Sequence, residues 1–404
     1  MLNEEVQERL ANTIVKKLEK LNEYIINEVG KSLLQLGKLT PSKAYQLEQT
    51  LKYGASYNKI VKKIEQVTKL NLKQIDDIFR AVAKKNQEFA KQFYDYRNID
   101  FIPYDKNEAL KQQVEALANI TKDSYVNIMN SSAYMLLRGN KLRTTTLSKI
   151  YQEALDEAII SVGQGKEAYG SAIRRIMKEL TSKGMQYVDY ASGYRRRLDS
   201  TIRMNLLDGI KLVSNETQNI FAREYNSNGV EISVHLNPAP DHEKVQGRQF
   251  SDEEYKKLNE GMIAKDYKGN EYSLDHDYNG TYRPISTMNC YHYEFRIILG
   301  VSKPQYDEKE LKEIREKNDK GFDYKGKHYT MYEGTQLQRR LEVEIRRKKE
   351  QQIGYRSINA IEEAQIVQRK INKLTKRYKE LSEISGLKPY ATRMSISGYR
   401  RIKA

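Results

Sequence analysis

Hydrophobic residues recur every three or four positions along most of the chain, and this spacing predicts amphipathic α-helices. The clearest series, in the first 30 residues, is Val6, Leu10, Ile14, Leu18, Leu21, Ile25 and Val29. A second helix is predicted to start at Thr40 as its N-cap, with Pro41 at its first position. Further helices are predicted over residues 70–93, 107–130, 144–162 and 166–180, with breaks at Gly54, Pro103, Gly139 and Gly184.

A single long helix is predicted over residues 190–225. Its apolar stripe would consist of Ile202, Leu206, Ile210 and Val213. The same segment carries four arginines, Arg195, Arg196, Arg197 and Arg203. We interpret them as side chains that lay their apolar stems along the helix, and contact with phosphate or with an acidic protein surface is the alternative.

The pattern changes at Asn226. Val230, Ile232 and Val234 alternate with polar residues, which predicts a strand, and prolines follow it. A short helix is predicted after Ser251 as its N-cap, then a loop or hairpin, and then a closing strand within residues 289–301. Residues 226–303 are therefore expected to form a small α+β module of about 75 residues.

Helical spacing returns after Pro304, with helices predicted near residues 307–320, 330–352 and 357–381. The chain is thus predicted to be mainly α. The expected divisions are a helical N-terminal region (1–185), a connecting Arg-bearing helix (186–225), the α+β module (226–303), a helical C-terminal region (304–385) and a basic extended tail (386–404).

Positive charge is concentrated at the C-terminal end. From residue 339 to residue 404 the chain has 18 Lys or Arg and seven Asp or Glu, so this segment carries +11 of the total net charge of +16. A polyanion such as DNA is the natural partner, and a solvated helix face is the alternative. The predicted contact residues lie in the tail or on the helix over residues 357–381, away from its apolar side chains: Arg369, Lys370, Lys373, Lys376, Arg377, Arg393, Arg400 and Arg401.

The number of cysteines and the length of the apolar runs exclude several classes of protein. The single Cys excludes an intrachain disulfide and any zinc site built from four thiolates. No apolar run approaches the roughly 18 residues needed to cross a bilayer, and the start of the chain lacks the basic-then-apolar order of a signal peptide. We therefore expect a soluble protein with no membrane contact.

The candidate chemistry lies in the α+β module, because this module holds four of the five His and the only Cys. Three interpretations compete. His235, His242, Cys290 and His292 could bind zinc, with Asp275 or Asp277 as a further ligand, although the spacing of these residues is unusual for zinc. Cys290 could act as a nucleophile with His235, His242 or His276 as its base. We favour the third interpretation, a structural cluster of hydrogen-bonded side chains with no cofactor and no enzymatic activity.

The stretch "SVHLNPAPDHEKVQGRQFS" at residues 233–251 is followed by a loop rich in Gly and Tyr and by "NCYHYEFRIILG" at residues 289–300. This order resembles the family of phage minor capsid protein 2, which is related to the Mu-F-type minor head proteins. The matching residues are His235, His242, Gln246, Gly247, Asn289, Cys290, His292 and Gly300. Val245 departs from the pattern, in which Trp is expected.

Two flanking blocks extend the resemblance over about residues 187–380: "YASGYRRRLDSTIRMNLLDG" at 190–209 and "MYEGTQLQRRLEVEIRRKKEQ" at 331–351. The resemblance implies a structural head protein of a tailed bacteriophage, in several copies at the portal vertex or inside the head. Its implied partners are the portal protein or the major capsid protein and packaged double-stranded DNA. A head-carried enzyme with a hydrolytic or metal site in the module is the alternative.

Overall fold

The computed structural model describes residues 4–36, 43–131, 133–138, 141–146, 168–182, 187–189, 195–276, 282–287 and 290–404. The helices are α1 (Glu4–Leu36), α2 (Lys43–Arg97), α3 (Glu108–Ser131), α4 (Tyr169–Ser182), α5 (Leu198–Glu224), α6 (Pro240–Glu243), α7 (Asp252–Asn259), α8 (Glu308–Lys320), α9 (Met331–Ser357) and α10 (Ile361–Ser385). The strands are β1 (Ala133–Arg138), β2 (Lys141–Thr146), β3 (Tyr187–Asp189), β4 (Arg195–Arg197), β5 (Gly229–Ile232), β6 (Gln249–Ser251), β7 (Ala264–Lys265), β8 (Glu271–Tyr272), β9 (Glu294–Ile297), β10 (Phe322–Tyr324) and β11 (Lys327–Tyr329). The fold is mainly α with a small α+β part, as predicted.

The helical body packs α1, α2, α3 and α5 around one large core, which α4, α9 and α10 extend. The predicted stripe of α1 is confirmed, since Ile14, Leu18 and Ile25 are buried in this core. The helices approach closely at Gly209 of α5, where an added Cβ would lie 2.4 Å from Thr121 Oγ1 and 2.9 Å from Phe79 Cζ. Only a residue without a side chain fits between these two neighbours. No helix of the described residues is long and apolar enough to cross a membrane.

A buried ionic network joins α5 to α9. Arg197 Nη2 lies 2.6 Å from Glu350 Oε1, and Arg346 Nη1 lies 2.6 Å from Asp199 Oδ2. Burial raises the pKa of Asp199, but the two guanidiniums outweigh burial and hold this pKa well below its ordinary value. The nearby Glu19 has its pKa raised to about 7, first by burial and then by the negative charge of Asp199.

Three helix predictions need correction. Residues 144–146 form part of β2 and pair with β1, because three consecutive β-branched Thr side chains favour a strand; residues 147–162 lie outside the described part of the chain. The helix predicted from residue 190 begins at Leu198, after Arg195–Arg197 has paired with β3. Helix α2 runs through Gly54, where a break was predicted. Thr40 and Pro41 lie outside the described residues.

The α+β module has a three-stranded antiparallel sheet in the order β6-β5-β9. Its own small core includes Val230, Ile232, Phe250 and Leu258, and Ser251 caps α7 by accepting from Glu254 N–H at 3.2 Å, as predicted. Strands β7 and β8 form the hairpin. The closing strand covers only Glu294–Ile297, so Cys290 and His292 lie in the irregular segment before it.

The C-terminal region pairs α9 with α10, and the hairpin β10–β11 covers one end of the pair. Thr330 and Glu333 form a capping box at the start of α9. The tail, predicted to be extended, packs on the body instead. Arg393 pairs with Glu8 at 3.2 Å, Ser397 Oγ donates to Glu23 at 2.5 Å, and Ile396 is buried.

Candidate functional site

Three rare side chains of the module converge on one point. His242, at the centre of α6, places Nδ1 at 3.2 Å from Cys290 Sγ, and His292 places its own Nδ1 at 3.3 Å from the same sulfur. The closing strand predicted within residues 289–301 would include Cys290 and His292. Because their segment is irregular, His292 instead turns back onto Cys290, and its backbone N–H lies 3.4 Å from Sγ.

The outer nitrogen of each imidazole contacts an oxygen. His242 Nε2 lies 2.6 Å from the carbonyl oxygen of Arg283, and His292 Nε2 lies 3.3 Å from Gln246 Oε1. Gln246 Oε1 also accepts from the backbone N–H of His235 at 3.3 Å. Arg283 is itself held by a bidentate ion pair with Asp241, at 2.9 Å and 2.7 Å. The cluster therefore has a complete outer layer of hydrogen bonds.

Burial dominates the electrostatics of the cluster, since the relative exposures are 0% for His242, 2% for Cys290 and 1% for His292. Burial, with the neighbouring His235, holds the pKa of His292 well below its ordinary value, so this ring is neutral. Burial lowers the pKa of His242, but the hydrogen bond to Cys290 and the nearby Asp241 outweigh burial and raise this pKa. Burial raises the pKa of Cys290, but His242 outweighs burial and lowers it.

The other predicted ligands lie outside this contact. The ring of His235 is 4.4 Å from the ring of His292, but its Nδ1 lies 3.2 Å from the carbonyl oxygen of Leu236. Burial lowers the pKa of His235 to about 4. Asp275 is exposed and pairs with Lys244 at 2.7 Å, and His276 is exposed and bridges to Tyr282. Asp277 lies outside the described residues.

The remaining motif residues shape the loops around the cluster. Gly247 has φ +73°, and an added Cβ would lie 2.5 Å from Leu311 Cδ2, so the turn after Gln246 needs glycine. Gly300 also has a positive φ, of +78°. Val245, which replaces the expected Trp, is fully buried in the module core. Asn289 lies outside the described residues.

The cluster lines a cavity of about 1610 Å³ between the module, α8 and α9. A sulfur and two imidazole nitrogens within 4.8 Å of one another are a ligand set that fits a metal ion. A thiol hydrogen-bonded to an imidazole is also the pairing that activates a cysteine nucleophile. The geometry therefore keeps both chemical alternatives and the structural interpretation open.

The predicted basic contacts fall into two groups. Arg369, Lys370, Lys373, Lys376 and Arg377 are exposed on one side of α10, and we call these five residues the basic face. Arg400 and Arg401 are exposed in the tail. Arg393, by contrast, has only 12% of its side chain exposed and pairs with Glu8, so it is held inside the protein.

The residues that orient the cluster could not be identified from the sequence. Arg283 and Asp241 carried no signal, because a pair 42 residues apart in sequence has no local pattern. Gln246 was named only as a motif residue. Its role depends on a contact 46 residues away, which the spacing of side chains could not reveal.

The chain is thus mostly helical and carries one small α+β module with a buried cluster of His and Cys. Comparison with family models matches residues 2–382 to the family described as phage minor capsid protein 2. The chain belongs to this family, which confirms the resemblance and makes the chain a capsid component of a bacteriophage. No curated protein and no solved structure matches it.

Proposed function

We propose that this capsid protein lies at the portal vertex or inside the phage head, and that its basic face contacts the phosphates of packaged double-stranded DNA. Its role there is structural rather than enzymatic. The observation that carries the proposal is the uncompensated charge of α10. Between residues 366 and 379 the chain has six Lys or Arg and no Asp or Glu.

The charged residues of α10 lie on the side opposite to its buried side chains. Val367, Ile371 and Tyr378 are buried against the body, and the five residues of the basic face are exposed. Within the part of the chain that the structure describes, no ion pair joins the basic face to a carboxylate. A surface of one sign attracts a polyanion over a distance set by the ionic strength.

The tail extends this surface. The carbonyl oxygen of Arg400 accepts from Gln352 at 2.9 Å, and that of Lys403 accepts from Gln365 at 3.3 Å. These bonds place residues 400–403 against α9 and the first half of α10, where Arg400 and Arg401 add exposed positive charge. A rigid arrangement of this kind suits the repeated phosphates of a duplex better than a flexible tail would.

Other arginines do not contribute to this positive surface, because they form ion pairs with carboxylates inside the protein. Arg197 contacts Glu350, and Arg203 contacts Glu8 at 2.6 Å. Together with Arg393 they stabilise the contacts of α1 and α5 with the C-terminal region. This distinction removes Arg393 from the predicted DNA contacts and leaves the basic face, Arg400 and Arg401.

Phosphate contacts carry no base information, so binding to duplex DNA should be independent of sequence. If about six phosphates are neutralised, affinity should fall on the order of 10³-fold between about 50 and 200 mM salt.

The test variant is R369Q/K370Q/K373Q/K376Q/R377Q. We expect weaker DNA binding and a shallower dependence of log affinity on log salt, by about 0.9 for each lost contact.

The matched control is K303Q/K309Q/K312Q/K317Q/K320Q, which removes the same charge from exposed lysines in and before α8. This control should retain the affinity and the salt dependence. Equal DNA binding by the two variants would contradict the proposal. If the basic-face variant instead loses only its binding to purified portal protein, the basic face is a docking surface for protein. A particle reconstruction without this chain at the portal vertex or the inner shell would refute the proposed location.

A further inference from the structure

We propose that Cys290, His242 and His292 bind one zinc ion through Sγ and the two Nδ1 atoms. The three residues come from two segments 48 residues apart in sequence, yet their donor atoms lie within 4.8 Å of one another. This site is separate from the basic face and does not depend on the proposed role in DNA contact.

The tautomers of both imidazoles follow from their outer contacts. A backbone carbonyl can only accept a hydrogen bond, so His242 Nε2 must carry the hydrogen that faces the Arg283 oxygen. Gln246 Oε1 already accepts from the His235 backbone N–H, which fixes the orientation of the amide. His292 Nε2 must therefore donate to that oxygen. A neutral imidazole has one N–H, so both Nδ1 atoms direct a lone pair toward Cys290 Sγ.

With both imidazoles neutral, a cluster without a cation lacks one hydrogen, which either a proton on His242 or a metal cation can replace. The Cys290 thiol has a single hydrogen and can donate it to one Nδ1 only, which leaves the other lone pair facing the sulfur. All three side chains are almost completely buried, so an uncompensated polar contact is costly. A divalent cation between the three atoms would accept both nitrogen lone pairs and the thiolate together. The backbone N–H of His292 would also support the thiolate.

The distances and ligand types favour zinc. Zinc lies roughly 2.3 Å from thiolate sulfur and 2.0–2.1 Å from imidazole nitrogen, so a tetrahedral site separates S and N by about 3.5 Å. The observed S–N separations are 3.2 and 3.3 Å, close to this value. Thiolate and imidazole together suit zinc far better than magnesium or calcium. Zinc sites with three protein ligands take water or a substrate atom as the fourth ligand, and the cavity that these three residues line could supply it.

The outer contacts match those of known zinc sites, where the second ring nitrogen of a ligating His donates to a carbonyl or carboxylate oxygen. Gln246 is thus a positioning residue for His292, and Arg283, held by Asp241, provides the oxygen that orients His242. The competing account is a cluster that only holds the loops of the module together. That account predicts no stoichiometric metal.

The test uses full-length, untagged protein, stripped of metal with a chelator and titrated with Co²⁺ as a spectroscopic probe for zinc. We expect one equivalent to bind, a thiolate-to-cobalt charge-transfer band, and displacement of cobalt by Zn²⁺. Cys290→Ser should abolish the band, and His242→Gln and His292→Gln should weaken binding by more than the 10- to 100-fold typical of a lost outer contact. His328→Gln, at an exposed His paired with Asp323, is the control and should bind as the native protein does.

Gln246 supplies a second measurement that does not remove a ligand. Gln246→Leu should weaken zinc binding by about 10- to 100-fold, and Gln246→Glu, which still accepts both hydrogen bonds, should retain it. Circular dichroism in the absence of metal identifies any variant that fails to fold. Absence of stoichiometric Co²⁺ or Zn²⁺ binding by the folded native protein, or an unchanged cobalt spectrum in Cys290→Ser, would overturn the zinc site.

Discussion

At the scale of single residues, Glu19 is the group whose environment most clearly couples charge to stability. It lies beside the buried network that contains Asp199 and Arg346, and burial with the negative charge of Asp199 raises its pKa from 4.5 to about 7. The folded protein therefore holds a proton on Glu19 between these two pH values that the unfolded chain releases. Stability from this proton is present below about pH 4.5 and is lost as the pH rises through 7.

We predict that Glu19→Gln reduces the loss of stability between pH 5 and pH 8. The full shift corresponds to roughly 3 kcal/mol, and partial exposure of Glu19 should reduce the effect to about 1 to 2 kcal/mol. The measurement is the free energy of unfolding in urea at several pH values, for the native protein, Glu19→Gln and the exposed control Glu115→Gln. If native protein and Glu19→Gln lose stability in parallel, Glu19 is already ionised in the folded state.

The residues of the cluster could be identified as candidates from the sequence. His242, Cys290 and His292 attracted attention because His and Cys are scarce in this chain and are concentrated in one module. Their contact could not be predicted from zinc-ligand spacing, since such rules describe ligands on one tight loop, whereas here α6 and a distant irregular segment supply them. Whether they bind metal stays a prediction.

At the scale of elements, strong helical spacing predicted most helices well, because a long apolar stripe has few alternatives to a helix. The stripe of α1 and the capped start of α7 are confirmed. The failures occur where pairing partners decide the structure. Residues 195–197 form a strand only because residues 187–189 lie beside them, and the sequence of one segment carries no record of that neighbour.

Helix α5 allows a test of close packing. Gly209→Ala should lower the free energy of unfolding by about 1 to 3 kcal/mol, because the new methyl group would overlap Thr121 and Phe79. Gly170→Ala in α4 is the matched control, since its Cβ would meet only the flexible end of Arg174, at 3.3 Å. This control should be neutral or slightly stabilising. Equal effects in urea unfolding would mean that α5 lies farther from α2 and α3 than described.

At the scale of the whole molecule, the tail joins regions that lie far apart in sequence. Ile396 belongs to the large helical core, and Arg393 and Ser397 bind Glu8 and Glu23 of α1. The sequence predicted an extended tail because its apolar residues have no periodic spacing. Single anchors such as Ile396 leave no periodic signal, so the docking of the tail could not be inferred.

We predict that Ile396→Ala destabilises the protein by about 2 to 4 kcal/mol, as expected for a truncated core side chain. Ile384→Ala makes the same change at a position that is 50% exposed on α10 and should cost less than about 0.5 kcal/mol. Thermal and urea unfolding of the two variants give the comparison. A similar small effect for both would show that the tail is not anchored in the core.

The ion pair between Glu8 and Arg393 joins residues 385 positions apart, so it can form only late in translation. A ribosome makes α1 early, but the C-terminal partners of Glu8 and Glu23 emerge only when residues 393–397 have been translated. Domains made from the N-terminus can often close while synthesis continues. Helix α1 can pack on α2 and α5 earlier, but its contacts with residues 393–397 can form only after that segment has been translated, so this part of the fold is completed after the rest of the α1 packing.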